Sequence, residues 1–92
     1  MLNRESCPKR GEQVIAQKAA NDLLLFNIED GNYYSLNEIG SRIWELCDGT
    51  HSVSELVSVL AKEYDAPNED LLKDVAELLE TLENGKLIAS LN

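Results

Sequence analysis

Short apolar runs occupy the first third of the chain, and apolar residues at helical spacing occupy the rest. The segments EQVIAQKA, LLLFNI and YYSL are rich in Val, Ile, Leu and aromatic residues, and AND and EDGN separate them, as expected for strands joined by turns. Asp30-Gly31 favours a two-residue type I′ turn, because Gly reaches positive φ without a Cβ clash. The pattern therefore predicts a three-stranded antiparallel meander whose third strand keeps one unpaired edge.

A helix is predicted directly after the third strand. Its apolar stripe consists of Ile39, Ile43, Leu46 and Cys47. Two N-caps are compatible with the sequence: Asn37, or Ser35 acting in a capping box with Glu38. Asp48-Gly49 ends the helix. An extended segment thus passes into a helix with almost no loop between them.

Two more helices are predicted after this one. A second capping box, SVSE at residues 52–55, begins the next helix, and DAPN ends it. The last helix begins at the cap Asn68 and ends at Asn84-Gly85. A short apolar tail, KLIASL, follows and is expected to cover the core or to add a strand.

The third helix carries more apolar residues than a core-facing stripe requires. At about 100° per residue, the predicted core stripe consists of Leu71, Val75, Leu78 and Leu82. The apolar arc is widened on one flank by Leu72, Ala76 and Leu79. The extra width has two interpretations: burial beneath the third strand or the tail, or one wall of a groove. A groove beside an open strand edge would accept an extended peptide.

Length and composition describe one globular unit. Ninety-two residues with 43% hydrophobic content are enough for one modest core. Residues 1–11 lack periodicity and are predicted to form a flexible N-terminal arm. Residues 12–92 are predicted to fold as an α+β, winged helix-turn-helix-like domain. No apolar run reaches the length of a membrane span and the start is too polar for a signal peptide, so we expect a cytoplasmic protein with no membrane partner.

The charge distribution argues against nucleic acid as a partner. Seventeen acids against eight bases give a net charge of −9, and residues 63–83 hold eight acids and one base, Lys73. The third helix presents carboxylates where a DNA-recognition helix needs Arg, Lys, Asn or Gln. If the fold is a winged helix, it is one that does not bind DNA.

No catalytic residue, metal site or cofactor is predicted. The sequence has no GxSxG, no HExxH and no phosphate-binding loop. His51, the only histidine, is expected in a solvent-facing loop, and Cys7 and Cys47 lack CxxC spacing and are expected to be free thiols. An acyl carrier protein is disfavoured because neither Ser52 nor Ser54 follows an Asp.

The segment YYSLNEIGSRIWELCDGTHSVSELVSVLAKEYD, followed by DVAELLETL and GKLI, resembles the PqqD-like family of recognition elements for ribosomally made, modified peptides. The most specific positions are Leu36-Asn37, Ile43-Trp44, Asp48-Gly49 and the spacing from Asp74-Val75 to Leu82. The resemblance covers about residues 12–89. Within the family, the chain is most similar to the free-standing recognition proteins of lasso-peptide pathways.

The resemblance implies a winged-helix-like fold of three strands and three helices. It also implies a ligand, the leader of a precursor peptide, which adds to the third strand and packs against the third helix. By position, it places on the strand edge Asn32, Tyr33, Tyr34, Ser35 and Leu36. On the helical wall it places Leu72, Ala76 and Leu79. Lys73 is the only base on this helix, and a candidate partner for an acidic group of the ligand.

The resulting hypothesis is a non-catalytic adaptor that binds a leader peptide and presents the attached core to a separate modifying enzyme or leader peptidase. Two alternatives stay open at the level of sequence. One is a regulatory winged helix that does not bind DNA, and the other is a homodimer joined through the third strand.

Overall fold

The computed structural model describes residues 5–89, and its elements follow the predicted order. The strands are β1 (Val14–Ala19), β2 (Asp22–Asn27) and β3 (Tyr33–Leu36). The helices are α1 (Glu38–Leu46), α2 (Val53–Tyr64) and α3 (Asn68–Asn84). The sheet is antiparallel with strand order β1-β2-β3. The predicted fold class, a three-stranded antiparallel meander followed by three helices, is confirmed.

Side-chain capping explains where the first two helices begin. Asn37 caps α1, since its side chain accepts a hydrogen bond from the Gly40 N–H at 2.9 Å. At α2, Ser52 and Glu55 form the predicted capping box, with bonds of 2.9 and 3.2 Å. The predicted cap of α3 is wrong, because Asn68 already lies inside that helix and no side chain caps it.

The predicted two-residue turn between β2 and β3 is also wrong. The loop spans residues 28–32, and Gly31 has a φ of 76° while Asp30 does not adopt positive φ. Two side chains account for the longer loop by bonding to its backbone: Asn27 Oδ1 accepts from the Glu29 N–H, and Asp30 Oδ1 accepts from the Asn32 N–H, each at 3.0 Å. These bonds stabilise a wider connection than the type I′ turn.

The core lies between one face of the sheet and the helices. Its fully buried residues include Leu25 from β2, Ile43 from α1, Leu56 from α2 and Leu79 from α3. Leu87 and Ile88, just beyond α3, are buried as well, so the tail covers the core as predicted. Trp44 lies in the core and is 5% exposed, and Cys47 is a buried free thiol.

Residues 9–11 of the predicted arm form hydrogen bonds with the α1–α2 loop and the C-terminal tail. The Arg10 N–H donates to the Cys47 carbonyl and the Gly11 N–H donates to the Leu87 carbonyl, each at 2.9 Å. The Arg10 guanidinium also donates to the carbonyls of Trp44 and Glu45, at 3.1 and 2.8 Å, where α1 ends. These contacts join the α1–α2 loop to the C-terminal tail. Residues 1–4 of the predicted arm, and residues 90–92, lie outside the described residues.

Within residues 5–89, no helix combines the length and the apolar character that a membrane crossing requires.

Candidate functional site

The backbone of β3 has an open edge. Strand order β1-β2-β3 places β3 at the border of the sheet, and the Asn27 N–H donates to the Asn32 carbonyl at 2.9 Å. In an antiparallel ladder, the residues after such a pair alternate between facing the partner strand and facing away. The N–H and C=O groups of Tyr33 and Ser35 therefore point away from β2. These are the groups to which an added strand would bind.

Side chains alternate along β3 in the complementary way. Tyr34 and Leu36 pair with Leu25 and Leu23 on the helix-facing side of the sheet. Leu36 is 5% exposed and Tyr34 is half-buried, whereas Tyr33 is 76% exposed on the opposite side. The structure thereby decides a point that alternation alone left open: of the two tyrosines, Tyr34 faces the helices.

Tyr34 contacts the C-terminal end of α3. A Cβ atom on Gly85 would lie 2.8 Å from Tyr34 Oη and 3.0 Å from its Cε2 atom. The buried side chain of Asn27 positions this end of the helix, because its Nδ2 atom donates to the carbonyls of Gly85 and Lys86 at 3.4 and 3.3 Å. The first part of β3 and the end of α3 are therefore held side by side.

Leu78 lies on the same flank of α3 as Gly85. The two residues are seven positions apart, which separates them by about 20° around the helix and by about 10 Å along it. Leu78 is half-buried and packs against the edge of the core. We define the β3 groove as the open edge of β3, the Tyr34 ring and Leu78. An extended chain in this groove would pair with the edge and contact apolar side chains of both elements.

The three residues of the predicted helical wall differ in burial: Leu79 is in the core, whereas Leu72 and Ala76 are half-buried. Leu79 is fully buried in the core, so its predicted place on an exposed wall is wrong. Leu72 and Ala76 lie about 120° and 160° around the helix from Leu78. Leu72 instead lines a cleft of about 370 Å³ between α2 and α3, together with Ser54, Val57, Ser58, Asn68 and Glu69. Lys73 is exposed and lies about 140° from Leu78.

The error has a simple origin. Leu78 and Leu79 are both apolar and differ by one position, and the predicted core stripe contained Leu78 where the structure buries Leu79. Helical periodicity identifies an apolar arc, but it does not say which side of the arc turns toward the sheet. No local signal in the sequence separates the two leucines.

A second apolar surface covers the outer side of the sheet, away from the helices. Ile15, Phe26 and Tyr33 are cross-strand neighbours on β1, β2 and β3 and are 56%, 39% and 76% exposed. Leu24 and Ile28, also exposed, extend this row. Sequence reasoning missed this surface, although the uninterrupted LLLF run in β2 signals a strand that is apolar on both faces.

Groups with shifted pKa values lie away from the β3 groove. Hydrogen bonds from the side chain and backbone of Thr50, and one with His51, hold the pKa of Asp48 well below its usual range. Burial raises the pKa of the Cys47 thiol to about 12. Among residues 5–89, no cluster of three or more His, Cys, Asp and Glu side chains is arranged to hold a metal ion.

Comparison with known proteins identifies the family of this chain. The family model for coenzyme PQQ synthesis protein D (PqqD) matches residues 22–88. The chain belongs to the PqqD family. A PqqA binding protein of Xanthomonas campestris pv. campestris (strain B100) is 30% identical over 89 residues, 95% of each chain. A PqqA binding protein of Methylococcus capsulatus (strain Bath) is 45% identical over 51 residues, 54% of this chain and 53% of that protein.

Two solved structures share the PqqD fold of this chain. One is TbiB1 in complex with the TbiA(beta) leader peptide, with a TM-score of 0.80 and 26% identity over 89% of this chain and 95% of that one. The other is lasso peptide synthetase B1 complexed with the leader peptide, with a TM-score of 0.81 over 92% of this chain and 100% of that one. At 19% identity, the second likeness concerns the fold alone.

Proposed function

We propose that this protein binds the leader of a ribosomally made precursor peptide by adding the leader as a strand to β3. The observation that carries the proposal is the open edge of β3, where the backbone groups of Tyr33 and Ser35 point away from the sheet beside the Tyr34 ring and the end of α3. Main-chain hydrogen bonds of this kind supply affinity, and side-chain pockets supply specificity. Relatives named for PqqA binding, and TbiB1 in complex with a leader peptide, support this function.

The protein acts as an adaptor and carries out no chemistry itself. A bound leader tethers its core peptide, and a short flexible tether raises the effective concentration of the core to the order of mM at an enzyme that binds the same adaptor. The partner is therefore a separate modifying enzyme or leader peptidase. The sequence resemblance to free-standing recognition proteins of lasso-peptide pathways makes a lasso peptide the proposed product class, and the cytoplasm the proposed location.

Binding is tested by titrating the protein into a fluorescently labelled synthetic leader of the precursor encoded beside its gene. Saturable binding supports the proposal. The Ser35→Pro variant then tests strand addition, because proline removes a backbone N–H that points to the open edge. We expect at least a tenfold loss of affinity, about 1.4 kcal/mol, with the helical circular dichroism unchanged.

Tyr34→Pro is the matched control. Its N–H points toward β2, so proline there should disrupt the sheet and lower the unfolding midpoint, which Ser35→Pro should leave nearly unchanged. Full affinity in a folded Ser35→Pro variant would rule out pairing through this edge.

A homodimer joined through β3 is the competing function, and the same open edge favours it. The two are distinguished by sedimentation velocity over a range of protein concentrations, with and without leader peptide. An adaptor is monomeric, or the leader peptide dissociates its dimer. A functional homodimer persists when the leader peptide is present.

A further inference from the structure

The chain segment around β3 carries negative charge only. Between residues 19 and 41, which include β2, β3 and the start of α1, the charged residues are Asp22, Glu29, Asp30 and Glu38, with no Lys or Arg. The next base along the chain, Arg42, is held by Glu63 at 2.7 Å and by Glu45 at 3.5 Å. The strand side of the groove therefore lacks a cation that a ligand carboxylate could approach.

The helical side of the groove has the same sign. Asp74 and Asp70 lie about 40° and 80° around α3 from Leu78, toward solvent. Both are exposed and make no ion pair among residues 5–89. Lys73 lies about 140° from Leu78. Lys86 follows Gly85 at the end of the sheet where β3 begins, and it lines a cleft on the β1 side with Lys9, Arg10 and Glu12.

We propose that the segment bound in the β3 groove is basic, with a Lys or Arg beside Asp74 and an apolar side chain on Leu78. The inference rests on the proposed function and adds the chemistry of the ligand to it. Complementary charge contributes to specificity and to the rate of association, and it penalises an acidic segment in the same place. The proposal of a basic ligand also replaces the sequence-based expectation of an acidic ligand group that pairs with Lys73.

Backbone geometry sets the spacing of the two ligand side chains. Asp74 precedes Leu78 by one helical turn, about 6 Å along the axis. In an extended peptide, side chains on one face recur every second residue, about 6.6 Å apart. For a leader strand that runs along α3, the apolar anchor and the cation are therefore separated by one residue. The intervening side chain faces the outer side of the sheet with Tyr33.

The peptide arm of the test uses the synthetic leader described above and its single substitutions. Each Lys or Arg is replaced by Gln and each Asp or Glu by Asn or Gln, and affinity is measured by fluorescence anisotropy. We expect replacement of the cation two positions from the apolar anchor to weaken binding three- to tenfold. Replacement of the acids should leave binding unchanged or strengthen it. The effect of the cation should shrink between about 0.05 M and about 0.5 M NaCl, because salt screens exposed charges.

The protein arm compares Asp74→Lys with Glu80→Lys. Both variants change the net charge by the same amount, but Glu80 lies about 160° around α3 from Leu78 and away from the groove. We expect Asp74→Lys to weaken binding three- to tenfold and Glu80→Lys to weaken it less than twofold. A leader with Glu in place of the critical cation should bind Asp74→Lys better than it binds the unaltered protein.

Each outcome decides a separate point. The basic-ligand inference would be overturned if the two lysine variants weakened binding equally. It would also be overturned if affinity fell when leader acids, and not leader cations, were replaced. Either result would leave leader binding itself intact. A leader that does not bind the unaltered protein at any salt concentration would overturn the proposed function itself.

Discussion

Tyr34 packs over Gly85 so closely that a Cβ atom on Gly85 would lie 2.8 Å from the tyrosine hydroxyl oxygen. This contact joins the edge strand to the end of α3 and forms one end of the β3 groove. The φ of Gly85 is −83°, so the absence of a side chain serves the close approach and not an unusual backbone conformation.

Gly85→Ala should therefore displace the Tyr34 ring. We expect it to lower the free energy of unfolding by about 1 to 3 kcal/mol, the usual cost of an overpacked contact, and to weaken leader binding. In a Tyr34→Ala background the same substitution should cost much less, because the clashing ring is gone. Urea denaturation of the four proteins in this double-mutant cycle measures the difference. An equal cost in both backgrounds would show that Tyr34 is not what requires glycine at this position.

Leu78 and Leu79 should respond in opposite ways to truncation. Leu79→Ala removes a fully buried side chain and should lower the free energy of unfolding by about 2 to 5 kcal/mol. Leu78→Ala should cost about 1 kcal/mol or less, since the side chain is half-buried, while leader affinity falls about tenfold. Chemical denaturation and leader titration on both variants provide the test. Normal affinity in Leu78→Ala would remove this residue from the binding surface.

Arg10 should stabilise the fold through its bonds to the end of α1. Its guanidinium donates to the carbonyls of Trp44 and Glu45, so Arg10→Gln should lower the free energy of unfolding by about 1 to 3 kcal/mol. Lys73→Gln is the control with the same change in charge, and it should shift stability by about 0.5 kcal/mol or less. The same control should leave leader affinity unchanged. If both variants are equally stable, the Arg10 hydrogen bonds do not contribute measurably to the free energy of unfolding.

The buried thiol of Cys47 should make the protein less stable in alkali. Its pKa in the folded protein is about 12, against an ordinary value of 9.0, because burial disfavours the thiolate. Since the unfolded chain loses this proton at lower pH, the contribution is complete below about pH 9 and is lost as the pH rises toward about 12. Urea denaturation between these limits should show a steeper decline in the native protein than in Cys47→Ala. Equal slopes would contradict the assignment.

Most of the secondary structure was determined by local sequence. Alternating and helical apolar patterns, the SVSE capping box and the stop at Asp48-Gly49 act over a few residues, so the strands and helices were predictable in type and order. The open edge of β3 followed as well, because a simple meander leaves its last strand unpaired. These features need no knowledge of how distant segments pack.

Tertiary structure alone decided which surfaces border that edge. The contacts of Asn27 and Tyr34 with Gly85 set how α3 lies against the sheet, and they join positions more than fifty residues apart. That placement buries Leu79 in the core and leaves Leu78 half-buried at its margin. Two adjacent leucines carry no sequence signal for this difference. The position of residues 5–11 also depends on tertiary contacts. Their backbone partners are Cys47, Leu87 and other residues far along the chain, and the local sequence pattern does not predict these contacts.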